Sequence, residues 1–360
     1  MKKLLVVLLA LVMVFSLVAC GGTSSSTTTP SGSTPSAGGG GEKKTVNIGV
    51  LVWKYDDTYG STVRTAMEKY AKELGEAQGL EVKLDMQDAN DSMATQLEQA
   101  TIMFASKPDF VIVNLAEVAS GSSIVELAQQ NEVPILFYNK EPSTETVQEV
   151  VVDPGYIFVG TTPREAGDMQ GEILADLFKA DSSIDKNGDG KLQYIQFMGE
   201  PNNPEAIART QYSVETAVAN GVELEQLGEN LVCNWDQAQA QDAMVATWAK
   251  YGDEIEVIFA NNDMMALGAV AALNAVNYNT GNDGDPKIVV IGVDAVDSAL
   301  ESIKAGGMTA TVQQDGDAMG KANITLAINY IQNGSYLDGT DYKLSVDGYS
   351  IRIPYAKITQ

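Results

Sequence analysis

A short acidic segment, DKNGDGKLQYIQ at residues 185–196, has the spacing of a calcium-binding loop. Oxygen-bearing side chains recur at every second position, and Gly190 follows where such a loop turns sharply. The ligands expected from this spacing are Asp185, Asn187, Asp189, the Lys191 carbonyl and Gln193. The twelfth position, a bidentate glutamate in complete loops, is Gln196. The segment is therefore either an ordinary turn or a calcium site that takes its last carboxylate from elsewhere in the chain.

Polar residues also gather where five apolar segments end, at 55–57, 139–141, 199–203, 261–263 and 293–294. In open parallel sheets, ligands bind beyond the carboxyl ends of the strands. The same residue types cap helices, but amides and carboxylates outnumber Ser and Thr here, so capping alone does not account for all the groups. Planar Asp, Asn and Arg groups suit the vicinal hydroxyls of a sugar, and Tyr59 and Trp235 could cover its C–H faces. Considered alone, Trp235 is more typical of a core residue.

A regular alternation of strands and helices positions these residues. Short β-branched runs such as VNIGVLVW (46–53) are followed by amphipathic segments, the first of them from Thr58 to Leu74. A first set of strands closes with VPILFYNK (133–140), and a second set begins at YIFVGTT (156–162). Near-continuous apolar strands separated by helices indicate parallel sheets covered on both faces. The sequence therefore predicts an α/β fold, doubly wound, in two lobes.

The N-terminal residues predict export and anchoring. Two lysines precede an apolar run that ends at Ala19, which is short for a transmembrane helix and typical of a signal peptide over residues 1–19. LVAC (17–20) resembles a lipobox, so Cys20 is the predicted lipidation site; an ordinary signal peptide is the alternative. The Gly/Ser/Thr-rich stretch over 20–43 reads as a flexible linker. We therefore expect an exported protein held by lipid at the cell membrane, on its extracellular face or in a periplasm.

Composition excludes several classes of function. The net charge of −25 is spread along the chain and argues against a nucleic-acid partner. The chain has no histidine, which excludes Ser-His-Asp and Cys-His catalysis and leaves a hard, oxygen-liganded ion as the metal to expect. Cys233 is the only thiol besides Cys20, so no intramolecular disulfide is expected.

Several segments together resemble the galactose/glucose-binding proteins that feed bacterial ABC importers. They are KYDDTY, FYNKEPS, DKNGDGKLQ, GEPNNPEAIART, NWDQAQA, EVIFANNDMMALGAV and GVDA, and the similarity runs from about Val46 to Tyr355. The resemblance implies the type I periplasmic-binding-protein fold, with sugar held between two lobes joined by three crossovers. It places an N-terminal lobe at 44–161 and 315–352 and a C-terminal lobe at 162–314 and 353–360. The hinge would lie near Gly160, Gln314 and Arg352.

The resemblance also implies site residues. Calcium is structural in this family, and the carboxylate missing from the loop corresponds to Glu256, in EIEVIFANN. The sugar contacts that match the family's residue types are Asp57, Asn139, Arg209, Trp235, Asn262 and Asp294. The sugar contacts that depart from the family are Tyr59 in place of Phe, Asn203 in place of His, Glu205 in place of Asp and Gln314 in place of Asn. The longer side chains at 205 and 314 bear on which sugar binds more than on the fold.

The function implied is a monomeric solute-binding lipoprotein that captures a monosaccharide, glucose or galactose first, and delivers it to an ABC-importer permease without catalysis. One alternative is a related binder for a different monosaccharide. Another is a sensor that presents its liganded form to a chemoreceptor or a kinase. An exported glycosidase could use two of the carboxylates Asp57, Glu205 and Asp294. A sugar-responsive repressor shares the fold, but the signal sequence and the acidic charge argue against it.

Overall fold

Two sheets of mainly parallel strands, with helices packed on both faces of each, form the part of the chain that the structure describes. The computed structural model describes residues 43–143 and 156–359. The predicted signal peptide, Cys20 and the linker up to residue 42 lie outside these residues. The α/β, doubly wound architecture predicted from the sequence is confirmed.

The first sheet is parallel throughout its described strands. These are β1 (Lys44–Val52), β2 (Leu80–Asp88), β3 (Phe110–Val113), β4 (Ile135–Tyr138), β5 (Tyr156–Gly160) and β12 (Ser350–Arg352). Their spatial order is β12-β5-β4-β3-β1-β2. Helices α1 (Thr58–Ala77), α2 (Met93–Ala105), α3 (Gly121–Asn131) and α9 (Gly316–Asn333) cover it, and we call this sheet with its helices the first lobe.

The second sheet has one antiparallel pair, at its edge. Its described strands are β6 (Leu192–Met198), β7 (Leu224–Gln226), β8 (Leu231–Val232), β9 (Val257–Ala260), β10 (Val289–Asp294), β11 (Ala310–Gln313) and β13 (Ala356–Thr359). Their order is β13-β11-β10-β9-β6-β7, and β8 also pairs with β6. Helices α4 (Pro163–Ala180), α5 (Pro204–Ala219), α6 (Gln237–Tyr251), α7 (Asp263–Asn274) and α8 (Asp297–Ala305) complete the second lobe. Short 3₁₀ turns occupy 118–120, 182–184 and 252–254.

Strand β1 shows why the apolar runs are nearly continuous. Ile48 and Val50 pack into the core between the first sheet and helices α1 and α9. Leu51 points to the opposite face, where it joins the core under α2 and α3. Because both faces of the sheet are buried here, the alternating side chains that point to either face are both apolar along most of the strand.

The chain passes between the lobes in three segments: from β5 to α4, from β11 to α9, and from β12 to β13. The lobe boundaries predicted after residues 161, 314 and 352 lie within these segments. The assignment of YIFVGTT to the start of a second strand set is wrong, because β5 pairs with β4 in the first sheet. Periodicity identifies a strand but does not say which sheet it joins.

Two features of the chain bear on its chemistry and location. Within 43–143 and 156–359, no helix is both long and apolar enough to cross a bilayer. Cys233 is a buried free thiol in the core of the second lobe. Burial raises the pKa of this thiol to about 11, so it is protonated and unreactive at neutral pH.

Candidate ligand-binding cleft and metal loop

A cavity lies between the two lobes, at the carboxyl ends of their strands. About 420 Å³ between the lobes is not filled by protein atoms, a volume that includes the open solvent at the mouth of the cavity. The residues that line it are Trp53, Asp57, Tyr59, Asn139, Lys140, Asn203, Glu205, Arg209, Trp235, Asn262, Asp294 and Gln314. Every residue predicted to contact sugar is in this set. Trp53 and Lys140 also line the cavity but are not among the predicted sugar contacts. Each stands at the end of an apolar run, which is the pattern that could have identified it.

Three of the lining residues also cap helices. Asp57 Oδ1 accepts from the Gly60 amide at the start of α1, at 2.5 Å. Asn203 begins α5 and Asn262 begins α7 in the same way, each through its side-chain oxygen. Capping a helix and lining the cavity are therefore not alternatives for these residues, because the same side chains do both. A cap fixes the rotamer of the side chain, which holds its remaining polar atoms in place beside the cavity.

Strained backbone occurs at three lining residues. Asn139 has a φ of 63°, Trp235 of 66° and Asp294 of 124°. Residues other than glycine seldom adopt such angles, and each costs of order 1–3 kcal/mol. Asn139 directly follows β4, Trp235 lies shortly after β8, and Asp294 is the last residue of β10. At each place the backbone turns to present a side chain to the cavity.

Arg209 supplies a buried positive charge at the cavity. Its Nη1 donates to the Asn261 carbonyl at 2.8 Å. Its Nη2 donates to the Tyr355 hydroxyl at 2.7 Å and to Gln314 Oε1 at 2.9 Å. The Asp294 carboxylate lies 3.9 Å from Nη1. The guanidinium is thus fixed by protein groups on one side while the residue lines the cavity on the other.

Close packing of two helices places Arg209. A Cβ added at Gly167 on α4 would lie 2.9 Å from the Ala208 carbonyl oxygen, and one at Gly171 would lie 2.6 Å from the Ser213 carbonyl oxygen. Only glycine at these positions lets α4 approach the backbone of α5 so closely. The approach sets the position of α5, and with it Arg209, over the second sheet.

Aromatic side chains form the apolar walls. Trp53 of the first lobe and Trp235 of the second belong to one apolar cluster that spans the cleft. Lys140 Nζ lies 3.7 Å from the centroid of the Trp53 ring, within cation–π range. The Tyr59 hydroxyl, the group by which this residue differs from Phe, lies 3.4 Å from Met319 Sδ in the core of the first lobe.

The lobes touch across the cleft through polar pairs as well. Lys140 Nζ lies 3.1 Å from both carboxylate oxygens of Glu200. Gln314 Nε2 donates to Asn139 Oδ1 at 3.4 Å. Because Lys140 and Asn139 follow β4 while Glu200 follows β6, these contacts hold the lobes in a closed arrangement.

Two buried donors at the cavity have no hydrogen-bond partner among the described residues. They are Arg209 Nε and Trp235 Nε1. A buried N–H without a partner costs on the order of 1–3 kcal/mol, so unpaired donors at a cavity favour a ligand with acceptor oxygens.

Burial dominates the electrostatics of the carboxylates. It raises the pKa of Asp57, and it raises that of Asp294 further despite the opposing influence of Arg209. Behind them, Asp263 accepts from the Thr311 hydroxyl at 2.6 Å, and burial raises its pKa to about 7. These carboxylates have few cationic partners, so hydroxyl groups that donate to them would stabilise their charged forms.

Three of the residues that depart from the resembled family bond to other protein groups at the cavity. Asn203 Nδ2 donates to Glu200 Oε2 at 3.2 Å. Gln314 spans the cleft between Arg209 and Asn139. The Glu205 carboxylate accepts from protein hydroxyl groups rather than pointing only at the cavity.

The acidic loop at 185–193 is held by hydrogen bonds from backbone amides to its carboxylates. Asp185 accepts from the amides of Gly188 and Gly190, at 2.7 and 2.9 Å. Gly190, at φ 84°, makes the sharp turn. Glu256 reaches the loop from the segment before β9, and its two oxygens accept from the amides of Lys186 and Gln193 at 2.5 and 3.1 Å.

Three of the predicted metal ligands, Asn187, Asp189 and Gln193, contact one another in this loop. The amide groups of Asn187 and Gln193 both bond to Asp189 Oδ2, at 3.3 and 3.0 Å. No group of three or more Asp, Glu, Cys or His side chains in the described part of the chain is arranged to hold a metal by itself. A cation here would need the two amides and the Lys191 carbonyl as well as carboxylates, a mixed oxygen set that suits calcium.

Comparison with known proteins gives consistent matches over the described region. A family described as periplasmic binding protein domain matches residues 48–335. A D-galactose/methyl-galactoside binding periplasmic protein of Haemophilus influenzae is 35% identical over 86% of this chain and 88% of its own length. A putative rhizopine-binding protein of Rhizobium meliloti is 29% identical over 78% of this chain and 83% of its own. A solved ABC transporter solute-binding protein of Bacillus halodurans with bound myo-inositol has a TM-score of 0.69 at 25% identity, covering 89% of this chain and 96% of that one.

Proposed function

We propose that this chain, which belongs to the periplasmic binding protein family, is an exported sugar-binding protein that delivers its ligand to an ABC importer. The observation that carries the proposal is the closed cavity between the lobes, with its carboxylates, amides, guanidinium and indoles. Its relatives are solute-binding proteins, so the chain is a binding protein and not an enzyme.

The chemistry of the cavity favours a neutral, polyhydroxylated ring. The buried Asp294 and the half-buried Asp57 are acceptors that hydroxyl groups can satisfy. The Nε of Arg209 and the Nε1 of Trp235 are buried donors that hydroxyl or ring oxygens can satisfy. Tryptophan faces at the cleft can cover the C–H groups of the ring. A ligand of this type would pair the polar atoms at the cavity without adding a charge.

D-galactose and D-glucose are the first candidates for the ligand. The Haemophilus relative named for D-galactose supports this choice, and the match of Asp57, Asn139, Arg209, Trp235, Asn262 and Asp294 to the resembled family supports it as well. myo-Inositol is a second candidate, because the Bacillus halodurans protein holds it and because Asn203, Glu205 and Gln314 depart from the galactose/glucose pattern.

Capture would occur by closure of the lobes around the ligand. Asp57, Tyr59 and Asn139 belong to the first lobe, while Arg209, Asn262 and Asp294 belong to the second. A ligand held by both groups stabilises the closed state, because only that state makes all its contacts. The closed form is then the one presented to the importer's permease, or alternatively to a chemoreceptor or sensor kinase.

The acidic loop would hold a structural calcium ion. Its ligands would be Asp185, Asn187, Asp189, the Lys191 carbonyl, Gln193 and Glu256. The ion would tie the segment after α4 to the segment before β9, neutralising carboxylates that otherwise repel one another. Since these residues do not line the cavity, the ion would stabilise the lobe without contacting the sugar.

Lipid on Cys20 would keep the protein at the membrane, with the stretch up to residue 43 as a tether. Radiolabelled palmitate should enter the wild type in cells and fail to enter Cys20→Ser. Label in both proteins would contradict the anchor.

A thermal-shift screen against monosaccharides and cyclitols, with calcium present, tests the binding function. A ligand at 100 times its Kd stabilises a protein by about 2.7 kcal/mol, enough for a clear rise in Tm. We expect a rise with D-galactose, D-glucose or myo-inositol. The absence of any rise across the panel would refute the proposal.

A further inference from the structure

The Glu205 carboxylate faces the segments that join the lobes. Thr161, directly after β5, donates from Oγ1 to Glu205 Oε1 at 2.8 Å. The Tyr355 hydroxyl, between β12 and β13, lies 3.1 Å from Glu205 Oε2. Each oxygen of the carboxylate is therefore engaged by a residue from a different crossover.

Glu205 Oε2 lies 3.4 Å from Arg209 Nη2. The Tyr355 hydroxyl also links Glu205 to this ligand-binding arginine. It accepts from Arg209 Nη2 at 2.7 Å and lies 3.0 Å from Thr161 Oγ1. Burial keeps the pKa of this phenol above its ordinary value, so the hydroxyl retains the proton that it donates. Tyr355 thus accepts from a guanidinium and donates its single proton to either Glu205 or Thr161, in a pocket that is almost closed to water.

The remaining crossover joins the same arginine. Gln314, directly after β11, accepts from Arg209 Nη2 at 2.9 Å. Every segment that passes between the lobes therefore supplies one residue to a connected set of hydrogen bonds: Thr161, Gln314 and Tyr355. We call Glu205 with these three residues the hinge network.

The length of the Glu205 side chain is what allows this arrangement. An aspartate would draw the carboxylate back by about 1.5 Å, the length of one C–C bond. Contacts of 2.8 and 3.1 Å to residues on two other segments could not both survive that change without backbone movement.

We propose that Glu205 is a positioning residue rather than a sugar-recognition residue: directly, and through Tyr355 and Thr161, it holds the Arg209 guanidinium and ties it to the hinge. The inference rests on the proposed sugar-binding function for its effect on affinity, but the network itself can be tested without sugar. The position of Glu205 at the cavity does not by itself reveal this role.

The network is tested first in the ligand-free protein. Unfolding in urea is measured for wild type, Glu205→Gln, Tyr355→Phe and the double variant. If Glu205 and Tyr355 act together, the double variant is about as stable as the less stable single variant. Destabilisations that simply add would overturn the network.

Its effect on binding is tested with D-galactose and, in parallel, myo-inositol as titrants. Thr161→Val keeps the side-chain shape and removes the hydroxyl, so we expect affinity to fall by roughly 10-fold. Thr161→Ser restores the hydroxyl and should recover most of the loss, although it leaves a small cavity. The exposed neighbour Thr162, whose side chain caps no helix, provides the control Thr162→Val, which should bind as wild type does.

Two binding results would overturn the proposal. If Thr161→Val binds normally while Thr161→Ser binds poorly, Thr161 acts by packing. If Glu205→Gln weakens binding by the same factor in wild type and in Tyr355→Phe, Glu205 does not act through Tyr355 and the network does not position Arg209. A wild type that binds neither titrant nor any member of the screening panel refutes the sugar-binding function, and the urea measurements then still decide the network.

Discussion

Lys140 and Glu200 form an ion pair across the cleft, with the lysine Nζ 3.1 Å from both carboxylate oxygens and stacked over the Trp53 ring. Lys140 is 5% exposed and Glu200 22%, so water screens the pair little. The pair joins the first lobe to the second directly beside the cavity. It stabilises the closed arrangement in which both lobes contact a ligand.

Removing the charge of Glu200 should favour the open arrangement. Glu200 does not line the cavity, so Glu200→Gln changes closure without removing a sugar contact. We expect the affinity for the ligand to fall by about 3- to 10-fold, together with a larger radius of gyration in small-angle scattering without ligand. Asp317→Asn, which removes an exposed pair with Lys69 inside the first lobe, is the control. Equal behaviour of the two variants would contradict a role in closure.

Arg209→Lys should weaken binding even though it keeps the charge. Lysine cannot reproduce the bonds from Nη1 and Nη2 together, so the Asn261 carbonyl and the Tyr355 hydroxyl would lose their donor. We expect affinity to fall at least ~10-fold by calorimetry. Arg164→Lys, on the exposed start of α4, should bind normally. Normal binding by Arg209→Lys would mean that the cavity is not the ligand site.

The buried Asp263 predicts a pH dependence of stability. Its folded-state pKa, raised by burial to about 7, lies above that of an unfolded aspartate, so the folded state binds more protons between these values. Stability therefore falls as pH rises through this window, by about 1.4 kcal/mol for each unit of pKa difference. Relative to wild type, Asp263→Asn should gain stability progressively as the pH rises from about 4 to about 7 in urea unfolding.

The control for that series is the exposed Asp297, at the start of α8. Asp297→Asn should follow the wild-type pH curve. Parallel curves for Asp263→Asn and wild type would show that Asp263 is ionised at no cost in the folded protein.

Calcium removal should destabilise the second lobe. Chelation is expected to lower Tm by roughly 3 °C or more, and added calcium should restore it better than magnesium. Glu256→Gln should abolish this response, because Glu256 is the carboxylate that reaches the loop from outside. Glu254→Gln, an exposed change two residues earlier, should preserve it. A Tm insensitive to chelation in the wild type, with no calcium in metal analysis, would eliminate the site.

Much of the fold and the identities of the cavity residues could be predicted from the sequence. Apolar runs such as β1 are continuous because both faces of the sheet are buried, which makes parallel strands recognisable. Polar residues at strand ends lie at one edge of each sheet, so Asp57, Asn262 and Asp294 meet at the cavity.

What could not be predicted depends on the direction of long side chains. Thr161 and Tyr355 bond to Glu205 across 44 and 150 residues of sequence, and no local pattern marks those contacts. Glu200 can form its ion pair with Lys140 only when the two lobes are in contact. The sheet to which β5 belongs was likewise decided by tertiary pairing with β4 rather than by its own sequence.

Isothermal titration calorimetry of the purified protein with D-galactose, D-glucose and myo-inositol, alongside Asp294→Ala, tests the central claim most directly. The account predicts that each chain binds one molecule of at least one of these ligands. Binding should be at least ~10-fold weaker in the variant, because hydroxyl groups of the bound ligand lose the Asp294 carboxylate that accepts from them. No heat of binding with any of the three, or equal binding by wild type and Asp294→Ala, would contradict it.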